Sequence, residues 1–134
     1  MKCNVTGLDD LIHDLDALAD DTEEIAEEML EAAADVMEES WRDVIKRYGL
    51  IDSGSMHDNV KSTVNTKKKR VDTYPRKKDK KGTQNAVKAF VLHHGKAGNI
   101  KATYFVNDVQ EEGATKAHVS MRAVLEKHLK QKGL

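Results

Sequence analysis

Apolar and acidic residues alternate with a helical period over the first third of the chain. From Leu8 to Tyr48 the apolar positions recur at spacings of three and four, and the opposite face carries mostly Asp and Glu. Gly49 follows, and glycine is typical of the position just after a helix. The pattern predicts an acidic helix over residues 7–48. A break into two helices at Asp20-Asp21 is the alternative, because Asp is a poor helix former inside a helix.

The period of the pattern changes to two after residue 57. Alternation of apolar and polar side chains favours strands at residues 60–64, 87–92 and 100–106. The glycine-containing stretch 95–99 is a reasonable hairpin loop between the second and third of them. We therefore expect an antiparallel sheet of three to four strands within residues 58–106.

A strongly basic stretch separates the first two predicted strands. Residues 66–85 hold nine bases and almost no apolar side chains, which predicts a long mobile loop or a protruding hairpin. Residues 71–74 can extend the predicted strands on either side of this stretch. The nine bases are Lys67, Lys68, Lys69, Arg70, Arg76, Lys77, Lys78, Lys80 and Lys81.

A second amphipathic stretch closes the chain. Asn107 or Asp108 can cap a helix over residues 108–131, which has lysines near its C-terminal end, as the helix dipole prefers. The order helix, strands, helix predicts the α+β class. A length of 134 residues, of which 39% are hydrophobic and 34% charged, predicts one domain over residues 1–134 with a lean core.

The net charge of −1 hides a strong separation of charge along the chain. Residues 1–48 hold 15 acids and four bases, whereas residues 61–88 hold eleven bases and two acids. Such a chain can attract its own kind head to tail, or present a basic loop to a polyanion. The single cysteine, Cys3, excludes an intrachain disulfide, and no apolar stretch is long enough to cross a bilayer. We expect a reducing compartment and no membrane partner.

Few residues have the spacing of a catalytic or metal site. His93 and His94 would point to opposite faces if they lay on a strand, and no second ligand pair stands at zinc-type spacing. Ser53 and Ser55 flank a glycine but follow a predicted helix, whereas a nucleophile elbow follows a strand. The sequence therefore predicts no enzymatic activity, no metal and no cofactor.

The segment between the acidic helix and the first strand has the residues of a tight turn. Asp52 or Ser53 can accept backbone hydrogen bonds, and Gly54 permits a positive φ. Met56 would then start a short helical turn and pack into the core before a strand at Val60. We predict that this helix-to-sheet turn, defined by Asp52, Ser53, Gly54, Met56 and Val60, directs the chain and carries out no reaction.

The same turn resembles a pattern in the head–tail joining, or tail-completion, proteins of long-tailed bacteriophages and prophages. In that family Asp-Thr-Gly-x-Leu-x-x-x-Ile follows a long N-terminal helix. Residues 89–95 are similar to the family's strand ending in Glu-x-Gly, and residues 100–106 to its last strand. The resemblance covers residues 8–130, with Ser53, Met56 and His93 standing where the family has Thr, Leu and Glu.

The resemblance implies a structural protein of the virion, present in the host bacterial cytoplasm during assembly. It implies contacts with other neck, connector and tail proteins and a ring-forming homo-oligomer around the channel through which the genome passes. The basic loop would then face the DNA or a protein partner, and the acidic helix would complement the loop of a neighbouring subunit. The alternative from charge alone is a small nucleic-acid-binding module that uses residues 67–81.

Overall fold

A computed structural model describes residues 22–131 of the protein. The expected beginning of the first helix at residue 7, and the alternative break at Asp20-Asp21, lie outside these residues. The elements in chain order are α1 (Thr22–Arg47), α2 (Ser55–Asp58), β1 (Val60–Asn65), β2 (Arg70–Pro75), α3 (Asn85–His94) and α4 (Phe105–Gln131).

The core lies between the two long helices and the sheet. The ring of Trp41 on α1 meets the ring of Phe105 on α4 edge to face, with centroids 5.9 Å apart, and both side chains are fully buried. Aliphatic and methionine side chains fill the rest of the interface, since the chain has few aromatic residues. The buried face of α1 is formed by Ile25, Ala26, Met29, Leu30, Ala33, Ala34, Met37, Trp41, Val44 and Ile45.

The sheet is one antiparallel hairpin. Its register runs from Val60 opposite Pro75 to Asn65 opposite Arg70. Side chains of α1 cover backbone groups of β1, because Glu38 Oε1 accepts the N–H of Ser62 at 3.1 Å. Hydrogen bonds of this kind satisfy backbone groups that an edge strand would otherwise leave unpaired.

The expected strand at residues 87–92 is wrong. These residues lie in α3, which buries Asn85, Ala89 and His93, one residue in every four. The apolar side chains of Val87 and Phe90 are 50% and 53% exposed. Because the buried positions are polar or small, the alternation of the apolar residues did not reveal the helical period.

The expected strand at residues 100–106 is also wrong, so the sheet has two strands in residues 22–131 instead of three or four. The N–H groups of Thr103 and Tyr104 bind the carbonyls of Leu92 and His93 at the end of α3. Helix α4 then begins at Phe105, whose N–H lies 3.4 Å from Thr103 Oγ1. The C-terminal helix therefore starts three residues before the expected position 108 and reaches the expected residue 131.

The segment 66–85 is a hairpin followed by a loop. Residues 66–69 form the tip between β1 and β2, and β2 takes up the middle of the segment. Pro75 is the last residue of β2, and β2 is an edge strand, where proline is tolerated because not every N–H pairs with a neighbouring strand. The α+β class is confirmed, with a smaller sheet than the sequence predicted.

Candidate functional site

The helix-to-sheet turn begins with a tightly closed helix end. Gly49 has a φ of 69°, its N–H binds the carbonyl of Lys46 at 3.0 Å, and the N–H of Leu50 binds the carbonyl of Ile45 at 3.0 Å. This pair of hydrogen bonds is the Schellman motif, which needs a left-handed residue after the helix. Gly49 therefore ends α1 and sets the direction in which the chain leaves it.

The next residues reverse the chain into β1. Ser53 Oγ accepts the N–H of Ser55 at 3.3 Å, and Gly54 has a φ of 83°. The following turn, α2, carries Met56 into the core with 5% exposure, and Val60 at the start of β1 is fully buried. Asp52 lies exposed at the outer side of the turn. The turn thus has the geometry expected from its residues.

A buried amide ties this turn to two other elements. Asn85 Nδ2 donates to the carbonyl of Arg76 at 2.8 Å, to Ser55 Oγ at 3.0 Å and to the Ser55 carbonyl at 3.3 Å. Asn59 Nδ2 donates to the same Ser55 carbonyl at 2.8 Å. Sequence reasoning missed Asn85, for which the one available signal was an amide directly after the Gly-Thr-Gln stretch of a loop. Through Asn85 the turn, the end of β2 and the start of α3 form one unit.

The nine predicted bases do not form one surface. Strand β2 is six residues long, which at roughly 3.3 Å per residue puts about 20 Å between the hairpin tip and the loop after β2. We call residues 67–69 the tip cluster and residues 77–81 the loop cluster. The two clusters lie at opposite ends of the strand.

The tip cluster lies beside the acidic end of α1. Lys67 and Lys69 share one surface depression with Glu23 and Glu27. The N–H of Lys68 binds Asn65 Oδ1 at 3.0 Å, which fixes the tip. The attraction between acidic helix and basic segment, which we expected between subunits, thus has a counterpart within one chain.

Two of the nine predicted bases are arginines, and both bind to groups within the β1–β2 hairpin. Arg70 lies 3.1 Å from Asp72 Oδ2. Arg76 donates to Thr63 Oγ1 and to the Lys61 carbonyl, and its guanidinium lies 4.4 Å from the centre of the Tyr74 ring. Arg76 therefore joins the end of β2 to β1, whereas the ion pair of Arg70 lies within β2.

Asp79 organises the loop cluster. Its Oδ1 accepts the N–H groups of Lys81 and Thr83 at 2.9 Å each, and its Oδ2 pairs with Lys88 of α3. The bond from Lys88 and then that from Thr83 hold the pKa of Asp79 below its usual value of 3.8. The four lysines of this cluster, Lys77, Lys78, Lys80 and Lys81, are exposed.

The two histidines lie on a helix and not on a strand as predicted. His93 is buried, and its Nδ1 accepts the N–H of Val106 at 3.3 Å, whereas His94 is exposed. Their rings are 4.6 Å apart and nearly perpendicular. Burial, and then the neighbouring His94, lower the pKa of His93. Within residues 22–131, no three His, Cys, Asp or Glu side chains are placed to hold a metal ion.

Comparison with known proteins gives one family. The sequence profile described as "Bacteriophage HK97-gp10, putative tail-component" matches residues 9–108, which include the helix-to-sheet turn and the whole basic segment. The chain belongs to this family. No curated protein and no solved structure matched it. None of the helices in the described part combines the length and apolar character needed to span a membrane.

Membership assigns a structural role in a bacteriophage. The expected relation to phage head–tail and neck proteins is therefore confirmed at the level of the family. The matched residues include Asn85 and the loop cluster, so the features that the sequence alone did not connect lie within the family's shared region.

Proposed function

We propose that this protein joins the head and the tail of a long-tailed phage as a component of the neck, and that it acts through protein contacts and not as an enzyme. The family match over residues 9–108 carries the proposal, since it includes the turn on which the resemblance to tail-completion proteins rests. The protein would be found in the virion, and in the bacterial cytoplasm while particles assemble.

The distribution of exposed charge supports a ring of identical subunits. Exposed acids recur every four residues along α1 over about 30 Å at roughly 1.5 Å per residue. They are Glu23, Glu27, Glu31, Asp35, Glu39 and Asp43. The loop cluster offers four exposed lysines on another part of the surface. Opposite charges on separate faces favour head-to-tail contacts, which close into a ring when the rotation between copies permits.

Deletion of the gene from a phage that encodes it tests the proposal. We expect DNA-filled heads and separate complete tails in electron micrographs of the lysate, and joined particles after complementation with the wild-type gene. Particles that remain joined and infectious without the protein would contradict it.

Two further experiments distinguish a structural from an enzymatic role and determine where in the virion the protein lies. The variant Ser53→Ala/His94→Ala removes two exposed groups with nucleophile or base chemistry, and it should complement as well as the wild type. Gold label on a tagged copy should lie between head and tail. Label along the tail shaft would show a tail component with a different position.

A second candidate function is non-specific contact with DNA. The observation that favours it is the loop cluster, where four exposed lysines lie within five residues and the intervening acid, Asp79, is engaged by Lys88. Lysines placed in this way suit phosphate contacts, whose affinity falls steeply with salt.

A further inference from the structure

An apolar groove of about 580 Å³ lies between the helix-to-sheet turn and α3. Ile51 and Val87 on its two walls are 45% and 50% exposed. A small domain seldom leaves several neighbouring aliphatic side chains open to water without a partner for them. The apolar lining is formed by Leu50, Ile51, Met56, Val87, Val91, Leu92 and Ile100.

Basic residues outnumber acids on the α3 side of this groove, whereas Asp52 lines the side of the turn. The stretch 76–101, which supplies the α3 wall, holds eight bases and one acid. Lys80 and Lys81 lie shortly before Thr83, which lines the groove. At the other side Lys96 pairs with Ile100 and Lys101 follows it, and all four lysines are exposed. A fitting occupant therefore has an apolar face with acids on both sides of it.

The chain itself contains a segment of this chemistry. Residues 8–18 carry five aliphatic side chains at helical spacing, and residues 9–21 hold six acids with no Lys or Arg. The five side chains are Leu8, Leu11, Ile12, Leu15 and Leu18. Amphipathic helices that lay an apolar face in a groove use such spacing.

The length of α1 bears on whether this segment can reach the groove of its own chain. The 26 residues of α1 place Thr22 about 38 Å from Arg47, at roughly 1.5 Å per residue. If the segment binds as a helix, residues 8–18 would measure about 16 Å, and the link to Thr22 would add at most about 14 Å. Bound as a helix, the segment would therefore not reach the groove wall that begins at Gly49 of its own chain, and a second copy would supply it.

We propose that the groove binds the N-terminal segment, residues 8–18, of a second copy of this chain. Aliphatic side chains of the segment fill the apolar lining, and its acids face the lysines at the rim. Because segment and groove lie on different parts of each copy, the contact is head to tail and leaves one free groove and one free segment at the ends. This inference deepens the proposed function and rests on it for the closure of such a chain of copies into a ring.

Mixing two complementary variants of the full chain tests this contact. The groove variant Ile51→Glu/Val87→Glu places charge on exposed lining positions, and the segment variant Leu11→Gln/Leu15→Gln removes the apolar face while keeping good helix formers. We expect the wild type to associate with rising concentration in sedimentation velocity and each variant alone to remain monomeric. An equal mixture should form a dimer and nothing larger, because only one intact groove meets one intact segment.

The control variant Phe90→Glu/Val119→Glu changes two exposed apolar residues outside the groove and should associate like the wild type. Salt should weaken the wild-type association, because the rim contacts are exposed charges. A monomeric wild type, a mixture that stays monomeric, or a groove variant that associates normally would overturn the proposal.

The result can be told apart from the fate of the proposed function. Sedimentation reports the contact between copies without reference to the virion, whereas the deletion experiment reports the place of action. Complementary dimers with normal particles from the deletion strain would retain the groove contact and refute head–tail joining. Unjoined heads and tails from the deletion strain, together with no dimers in the mixture, would support head–tail joining and refute the groove contact.

Discussion

His128 Nε2 lies 2.6 Å from Glu28 Oε2 and joins α4 to α1 across 100 positions of sequence. Lys127 Nζ lies 3.7 Å from the other carboxylate oxygen. The hydrogen bond from His128, and then the positive charges of both residues, hold the pKa of Glu28 below its ordinary value of 4.5, although partial burial opposes them. This cluster connects the two helices at the end far from Trp41 and Phe105.

The lowered pKa of Glu28 predicts a loss of stability in acid. Between its folded and unfolded pKa values the unfolded chain binds more protons, so the contribution is present above about pH 4.5 and is lost as the pH falls through the folded value. We expect Glu28→Gln to lose less stability than the wild type from about pH 5 to about pH 3. Urea unfolding followed by the fluorescence of Trp41, the single tryptophan, measures this.

Glu31→Gln is the matched control, because Glu31 is exposed on the same helix. It should leave the wild-type pH dependence unchanged. An equal slope for the wild type and Glu28→Gln would show that the bond to His128 contributes nothing to acid sensitivity.

The hydrogen bonds of Asn85 predict a large difference between two similar substitutions. Asn85→Ala removes two N–H donors that reach three acceptors and should lower the free energy of unfolding by about 1 to 3 kcal/mol. Asn85→Asp keeps the shape but sets a carboxylate against the carbonyls of Ser55 and Arg76, neither of which can donate, and should cost more. Chemical unfolding of both variants beside Asn99→Asp, an exposed position, measures the effect. Wild-type stability in Asn85→Asp would contradict the assignment.

The parts of the fold that sequence predicted are those in which apolar side chains mark the buried face. The spacing from Ile25 to Ile45 gave the buried face of α1, and the turn residues from Gly49 to Val60 gave the change from helix to strand. In both places local preference and tertiary burial agree, so the pattern in the sequence was sufficient.

The parts of the fold that could not be predicted are those in which polar side chains are buried and apolar side chains are exposed. Helix α3 buries Asn85 and His93 and exposes Val87, because a hydrogen-bonded amide joins it to the turn and its apolar side chains line the groove. For β2 the sequence left a mobile loop and a hairpin as alternatives, since the basic residues around it do not show that Arg70 and Arg76 bind within the hairpin. Propensity and hydrophobic period report neither kind of contact.

Gly113 on α4 predicts a coupling with Met37 on α1. A Cβ at position 113 would lie 2.7 Å from Met37 Sδ, closer than side chains pack. Gly113→Ala gains about 1 kcal/mol of helix propensity, which crowding of about 1 to 3 kcal/mol offsets or exceeds. Met37→Ala should cost about 2 to 5 kcal/mol because Met37 is fully buried.

The double variant distinguishes crowding from propensity. In the Met37→Ala background the obstructing side chain is gone, so adding Gly113→Ala should raise the free energy of unfolding by about 1 kcal/mol. A thermodynamic cycle over the four proteins gives the coupling energy. Equal effects of Gly113→Ala in both backgrounds would show that Met37 does not limit the space at this position.

The separation of the two lysine clusters predicts unequal roles in binding DNA. The tip cluster lies beside Glu23 and Glu27, whose negative charge opposes that of a phosphate, whereas the loop cluster has only the engaged Asp79 among its lysines. Binding to a random duplex should therefore be detectable at about 50 mM salt and fall steeply towards about 200 mM. Fluorescence anisotropy of a labelled duplex over this range gives the slope of log K against log salt.

Glutamine variants of the two clusters then assign the phosphate contacts. If all four lysines of the loop cluster contact phosphates, changing Lys77, Lys78, Lys80 and Lys81 to Gln should reduce the slope by about 3 to 4, at about 0.9 for each contact. The same change at Lys67, Lys68 and Lys69 should reduce it by less than one contact, because the glutamates of α1 already neutralise part of that charge. Equal reductions from both clusters would mean that the duplex bridges the length of β2. If the duplex does not bind at about 50 mM salt, DNA contact is not a function of this chain. The lysines of the loop cluster would then bind protein partners.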